Sequence, residues 1–446
     1  MTGSRTQNQS TPRSTSHAAR NARAALGLDF GTSNSTIGLC DAQGDVVLAP
    51  VEGGRTVIPS AVFYDTETRD TLFGTDAIAA YVEGAEGRLL RAFKGVLGTD
   101  LMGEDTLVGN RKIAFRQIIA TYIGHMKKAS ERHFDQAFEA VVLGRPVCYV
   151  DGDPAADQEA QDVMESIGRM LGFKHIEFQF EPIAAALEYE FGLRGEETAL
   201  VVDIGGGTTD MSLIRLSSAR HTRQDRRDDI LANLGLRLGG TDFDRLLSLH
   251  NVMPFLGYRG ALRQEPAVMP LAYYHRLADW KQINSLYNAK TAADIKALSR
   301  VACEPDRLEA LLHVLDRRMG HDIALRVERA KIALSDNTQT TIPFNDILPS
   351  TDISVSAQDF AAAITDRIDA IEALLREALT LSGQDASAVE TVFYTGGSSL
   401  IPLIRARLAQ LLPQARIVQG DAHAAVGRGL CRDAALRFGG ASTAAA

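Results

Sequence analysis

The sequence predicts an α/β protein of two similar lobes facing one another across a cleft, and three observations predict it. At 446 residues the chain is too long for one ordinary hydrophobic core, so two or three packed units are expected. The segment LGLDFGTSNSTIGLC (26–40) is echoed by LVVDIGGGTTDMSLI (200–214), with Asp29 falling on Asp203, Gly31 on Gly205 and Ser35 on Thr209. Downstream, TVFYTGGSSLIPLIRARLAQLL (391–412) reads as a strand, a turn at Gly396-Gly397 and an amphipathic helix with Pro402 in its first turn.

The chain opens with residues 1–24, rich in Ser, Thr, Arg, Asn and Gln and without the apolar block of a secretory signal. They read as a disordered tail, although a transit peptide is Arg- and Ser-rich and acid-poor in the same way. With 45% hydrophobic and 23% charged residues and a mean hydropathy of -0.07, the remainder reads as a soluble globular protein. No apolar run approaches the roughly 20 residues that cross a bilayer, so no membrane partner is expected. The net charge of -9 and a pI of about 5.6 argue against nucleic acid as a partner. The cysteines (Cys40, Cys148, Cys303, Cys431) form no CxxC pair, which points away from zinc or disulfides and toward a reducing, cytoplasmic setting.

Each echoed segment is an apolar strand, Asp-x-Gly, a short Gly/Thr/Ser turn and a second apolar strand: a β-hairpin with a tip tolerant of unusual backbone angles. Two such tips facing one another supply what a polyphosphate needs. Backbone N–H groups of glycine turns form anion nests, the missing Cβ permits close approach, and Thr and Ser hydroxyls add donors. The aspartates cannot bind phosphate, so Asp203 and Asp210 are expected to serve a hydrated Mg²⁺ or the attacking water. Farther on, Ser356-x-x-Asp359 is a capping-box variant opening a helix at about 357–381, with Phe360, Ile364, Ile368, Ile371 and Leu375 as its buried stripe and Gly383 as its stop.

Six motifs in order resemble those of the DnaK-type (heat-shock protein 70) chaperone family of the actin-like ATPase superfamily. GLDFGTSNS is similar to its first phosphate loop, VVDIGGGTTD to its second and FEPIAAALEYEFG (180–192) to its connecting helix. LGGTDFDRLL (238–247), VERAKIALS (327–335) and YTGGSSLIP (394–402) resemble its second-lobe and adenosine motifs, and short YegD-type members look most alike. The resemblance implies a duplicated actin-like ATPase (ribonuclease H-like) fold around a central nucleotide cleft. Lobe I would take residues 25–197 and lobe II 198–420, with an enlarged outer subdomain at about 245–327. Residues 421–437 would be a helix packing back on lobe I and 438–446 a disordered tail.

It further implies ATP/ADP and Mg²⁺ as cofactors, with K⁺ as an optional second cation. Gly31, Thr32 and Ser33 would hold phosphate in lobe I and Gly205, Gly206, Gly207 and Thr208 in lobe II, with Gly239 and Gly240 also among the nucleotide-binding residues. Asp29 and Asp203 would position Mg²⁺ through water, and Lys94 would reach the γ-phosphate and attacking water. Glu181, Asp210 and Thr208 complete the catalytic set. Glu328, Lys331 and Ser335 would line ribose and base, with Gly396, Gly397 and Ser398 opposite and Asp421 closing the pocket. On the residues alone, Lys94 also reads as a surface lysine, Glu328–Lys331 as an i,i+3 ion pair and Glu181 as a helix cap.

Three departures accompany the likeness. Ile332 and Leu400 stand where the family usually has arginines that sandwich adenine, leaving apolar burial to do that work. The stretch 245–327, with the only tryptophan, Trp280, is longer than usual: an outer subdomain with its own small core, or a docking surface for a protein partner. The chain ends at RFGGASTAAA, so no client-peptide domain is expected, and Pro146 resembles a switch proline with no neighbouring arginine seen. The expected function is a slow Mg²⁺-dependent ATPase acting as a nucleotide-gated clamp. Alternatives are a non-hydrolysing ATP sensor regulating a partner, an actin-like filament protein and a small-molecule kinase.

Overall fold

The computed structural model describes residues 24–150, 152–190, 193–220, 227–263, 269–419 and 424–439. Two mixed sheets carry it. In the first, Ala25–Phe30 pairs antiparallel with Asn34–Cys40 on one side and parallel with Ala140–Arg145 on the other, and His175–Phe180 lies beyond. In the second, Glu197–Ile204 pairs antiparallel with Thr209–Leu216 and parallel with Thr391–Thr395, with Arg416–Gln419 beyond. A third antiparallel strand closes the hairpin side of each, Val46–Leu48 in one and Ile230–Leu236 in the other. The same strand order therefore recurs, and the sequence echo is a structural duplication. The inner strands are buried on both faces, which is why ALVVDI and AVVLG read as continuous apolar runs rather than alternating ones.

The sheets are joined at the cleft by two helices. Glu181–Glu190 packs on the second hairpin, Ala425–Phe438 on the first, and the helices pack on each other. Small residues make the approach possible: Ala184, Ala185, Ala186, Ala425 and Ala434 are buried together there. A Cβ at Gly429 would run into the Ala184 carbonyl, and one at Gly27 into the Cys431 backbone.

Elsewhere the local rules hold. Ser356 Oγ accepts from Asp359 N at 3.0 Å, Ser356 N donates to the Asp359 carboxylate at 3.1 Å, and the helix Ala357–Ser382 ends on Gly383 at φ 63°. The expected stripe from Phe360 to Leu375 is buried. The stretch 245–327 is largely helical (Ala272–Leu277, Ala289–Val301, Pro305–Asp316), but its described residues do not form a core of their own. Leu256, Tyr274, Leu277, Leu308 and Val314 belong to one continuous apolar cluster with Leu200, Val202 and Met211 of the second sheet. The reason is the helix Gly240–Leu247, whose buried Phe243 and Leu247 tie the added helices to the sheet.

Candidate functional site

The hairpin registers bring the candidate residues together. Asp29 lies opposite Thr36 in the first hairpin and Asp203 opposite Asp210 in the second, so the echoed positions occupy the same rung. Between the strands, Gly31–Ser33 and Gly205–Thr208 form the tips, the second closed by Gly205 N donating to Thr208 O at 3.0 Å. The tips meet. A Cβ on Gly206 would overlap Ser33 Oγ, and one on Gly207 would lie 3.0 Å from Thr32 Oγ1. Behind the second tip runs the Gly239-Gly240 turn: Gly240 N donates to Gly205 O at 3.0 Å, Thr241 N to Gly206 O at 2.8 Å, and Ser398 Oγ to Gly205 O at 3.2 Å. Gly396, at φ 77°, has room for no side chain, since a Cβ would meet the Ile204 carbonyl and lie 2.5 Å from Asp203 Oδ1.

A cavity adjoins the tips, lined by Asp29, Lys94, Glu181, Asp203, Thr395 and Gly397 among others. Lys94 is 6% exposed and ion-pairs with Glu181, so it is not a surface lysine. Burial opposes its charge, yet the carboxylate of Glu181, helped by Tyr149 and Asp29, holds it above the ordinary lysine range. The acids shift the other way. Burial, then the Glu181 charge, pushes Asp29 up to about 7 against the pull of Lys94. Burial and Glu181 likewise raise Asp210 to about 7, although the Val147 N–H donates to its Oδ1 at 2.8 Å. Asp203 is raised well above the usual range by burial, then by Glu181, Asp210 and Asp29.

Four carboxylates thus surround one lysine, and Asp210 Oδ2 is buried with no partner. Negative charge this crowded calls for a cation. Among the described residues no group of three or more His, Cys, Asp or Glu could hold a metal ion directly, so a cation here would be one that keeps its own waters, as Mg²⁺ does. The residues present therefore fit the metal.

On the expected adenosine side, Glu328 and Lys331 do not pair with each other. Glu328 reaches Arg91 of lobe I at 2.6 Å, and burial, which would raise it, is outweighed by Arg91 and Lys331, so it sits below the ordinary glutamate range. Lys331 turns to Asp244 at 2.9 Å and to the Gly240 carbonyl at 3.2 Å. Ser335 is half-buried, and Ile332 is 58% exposed. Gly397–Leu400 forms a short 3₁₀ turn before the helix Pro402–Leu411. Asp421 lies outside the described residues.

Two contributors escaped the motif reading. Ser60 braces the first tip: its Oγ donates to Gly31 O at 2.7 Å, its N to Ser33 O at 2.8 Å, and it meets Ser35 Oγ at 2.9 Å. The loop of Pro146 does have a neighbouring arginine, on the side before it. Buried Arg145 donates to the Pro146 and Val147 carbonyls at 3.0 and 3.1 Å and pairs with Asp157 at 2.6 Å. Ser60 carries no signal in its flanking sequence; an arginine closing an apolar strand, as in AVVLGR, was the available clue to the other.

The chain matches the family model for Hsp70 protein over residues 97–260 and 310–443. Chaperone protein DnaK of Thermotoga neapolitana is 24% identical over 389 residues, covering 85% of this chain and 54% of that protein. A duplicated α/β fold with paired Asp-x-Gly hairpins defines the actin-like ATPase class, and within it the chain belongs to the Hsp70 family. The chain spans about half the length of the curated relative it matches. The family model passes over 261–309, inside the enlarged stretch. Among the described residues no helix is long and apolar enough to cross a membrane.

Proposed function

We propose that this protein is a Mg²⁺-dependent, slowly ATP-hydrolysing member of the Hsp70 family that works as a nucleotide-gated two-lobe clamp. The observation that carries this reading is Lys94, buried against Glu181 beside the two tips and among Asp29, Asp203 and Asp210. Thr32 and Ser33 supply hydroxyl donors to the phosphates from lobe I, and the Gly205–Gly207 backbone supplies amide donors from lobe II. Asp29 and Asp203 would hold Mg²⁺ through its waters, and the ion would supply charge neutralisation of the phosphates. Lys94 offsets charge spreading onto the transferred oxygens. Asp210 Oδ2, unpartnered and with its pKa raised to about 7, is an acceptor suited to orienting the attacking water near neutral pH.

ATP held from both sides couples the lobes, and loss of the γ-phosphate removes that link. The Arg91–Glu328 pair and the bond from Arg237 to the Gly95 carbonyl also span the lobes. Lys94→Ala should abolish turnover while largely sparing ATP affinity in calorimetry; an unchanged kcat sinks the assignment. A second reading, an ATP sensor that regulates a protein through the enlarged stretch, is favoured by the family model passing over 261–309. Single-turnover hydrolysis set against nucleotide-dependent binding of that partner separates the two.

A further inference from the structure

The enlarged stretch sends its tryptophan inward. Asp279, Trp280 and Lys281 line a cavity together with Thr32, Lys94 and Thr208, so the added segment forms one wall of a space that opens beside the catalytic lysine and the two tips. Gly95 lets it close in: Arg237 donates to the Gly95 carbonyl, Lys281 Nζ lies 3.5 Å from the same oxygen, and a Cβ on Gly95 would stand 2.9 Å from that nitrogen.

The cavity is built for an anion. Its wall carries Lys94, Arg237, Arg245 and Lys281 against two carboxylates, Asp242 and Asp279. Both carboxylates are committed locally. Asp242 accepts from Gly239 N at 3.1 Å, and Asp279 accepts from Lys281 N at 3.1 Å and from Gln282 Nε2 at 2.8 Å. Among the described residues the half-buried Arg245 guanidinium makes no hydrogen bond or ion pair, although it faces a cavity and has five donors to give. A cation left without an acceptor, on a cavity wall that carries three further cations, is the arrangement that binds oxyanions.

We propose that this cavity is a second ligand site, taking a small molecule with a phosphate or carboxylate group held by Arg245 and Lys281 against the face of Trp280. The proposal rests on the nucleotide reading only for its neighbour: the ligand would sit beside the γ-phosphate position, as released phosphate or as an anionic co-substrate.

Trp280 is the only tryptophan of the chain and lines this cavity and a neighbouring one with Ser33 and Glu328, so its fluorescence reports both and the Arg245 and Lys281 variants assign the response. The full-length protein is titrated with inorganic phosphate, glycerol 3-phosphate and malonate, with and without ADP. A saturable change is expected with at least one, weakened about tenfold or more in Arg245→Gln and in Lys281→Gln while ADP affinity stays unchanged. Inorganic phosphate binding as well as glycerol 3-phosphate marks a place for released phosphate; tighter glycerol 3-phosphate or malonate marks an organic co-substrate. No saturable change with any probe, or one that both variants leave intact, overturns the proposal. So does a phosphate response lost in Lys94→Ala but kept in Arg245→Gln, which puts the anion in the nucleotide's own site. ADP binding without a probe response defeats this inference alone, whereas absent ADP binding defeats the nucleotide reading.

Discussion

The two hairpins share a register and divide the work. The first carries one acid, Asp29 opposite Thr36, and a tip with one glycine and the hydroxyls of Thr32 and Ser33; the second carries two acids, Asp203 opposite Asp210, and a tip of three glycines and Thr208. Their supports differ as well. Ser60 alone braces the first tip from its side chain and backbone, while the second is held redundantly, by the Gly240 and Thr241 N–H groups and by the Thr241 and Ser398 hydroxyls. The contrast changes what the glycine run is for. Thr32 and Ser33 stand where side chains of Gly207 and Gly206 would be, and the Gly239 turn passes on the other side. Bare backbone is required there by protein on two sides as much as by a phosphate.

The largest effect should come from the rung that distinguishes the hairpins. Asp210 Oδ2 and Thr36 Oγ1 are both buried and unpartnered at echoed positions. If only the second hairpin serves the attacking water, Asp210→Asn should cut single-turnover hydrolysis about 10²-fold or more. Thr36→Val should leave the rate alone and hold or raise the melting temperature, since it removes an unsatisfied buried hydroxyl. Equal losses in both would erase the distinction.

Next in size are the glycines. A Cβ on Gly239 would sit 2.6 Å from Gly207 N, backbone against backbone, whereas one on Gly206 meets the Ser33 hydroxyl, which can rotate. Gly239→Ala should therefore destabilise by about 1–3 kcal/mol and impair nucleotide binding. Gly206→Ala should cost less, and adding Ser33→Ala should recover part of the stability loss in chemical denaturation. No recovery would show that the tips do not meet in solution.

Much of this pattern was legible. The echo, the capping box at Ser356 and the strand–turn–helix at 391–412 are local spacings that backbone geometry enforces, so they read directly. What resisted reading is long-range. Glu328 and Lys331 are three apart on a helix, which suggests a pair, yet each finds a closer opposite charge from elsewhere, Arg91 and Asp244. Ser60 is tied to Gly31 across 29 residues with nothing periodic between them. The enlarged stretch reads as separate because it is inserted, but its apolar faces continue those of the sheet.

A smaller and more diagnostic effect concerns pH. Asp29 and Asp210 move from 3.8 to about 7, so between these values the folded protein keeps protons that the unfolded chain has lost. Without a cation, these groups therefore favour the folded state less as pH rises from about 4 to 7, and the penalty is complete above 7. Melting at pH 5.5 and pH 8 should show a pH-dependent loss that Asp210→Asn reduces and Mg²⁺·ADP offsets. Mg²⁺·ADP binding should release protons near pH 7, visible as a buffer-dependent calorimetric heat. Zero proton release would mean the acids are already ionised.

The smallest effect tests the two braces. Ser60→Ala removes the 2.7 Å bond to Gly31 O and leaves Ser35 Oγ without its hydroxyl partner, two losses at a buried position. In the other lobe, Ser398→Ala removes a longer, 3.2 Å bond to Gly205 O, an oxygen that Gly240 N still satisfies at 3.0 Å. Redundancy should make the second loss nearly silent. Ser60→Ala should cost about 1 kcal/mol of stability and a few-fold in ADP affinity, Ser398→Ala less than half of either. Because Ser35 is the stranded partner, Ser35→Ala with Ser60→Ala should be milder than the sum of the single changes. Additive losses would mean that the first tip is held by its own turn, and that its hydroxyls are placed for the phosphate without help from the serine behind them.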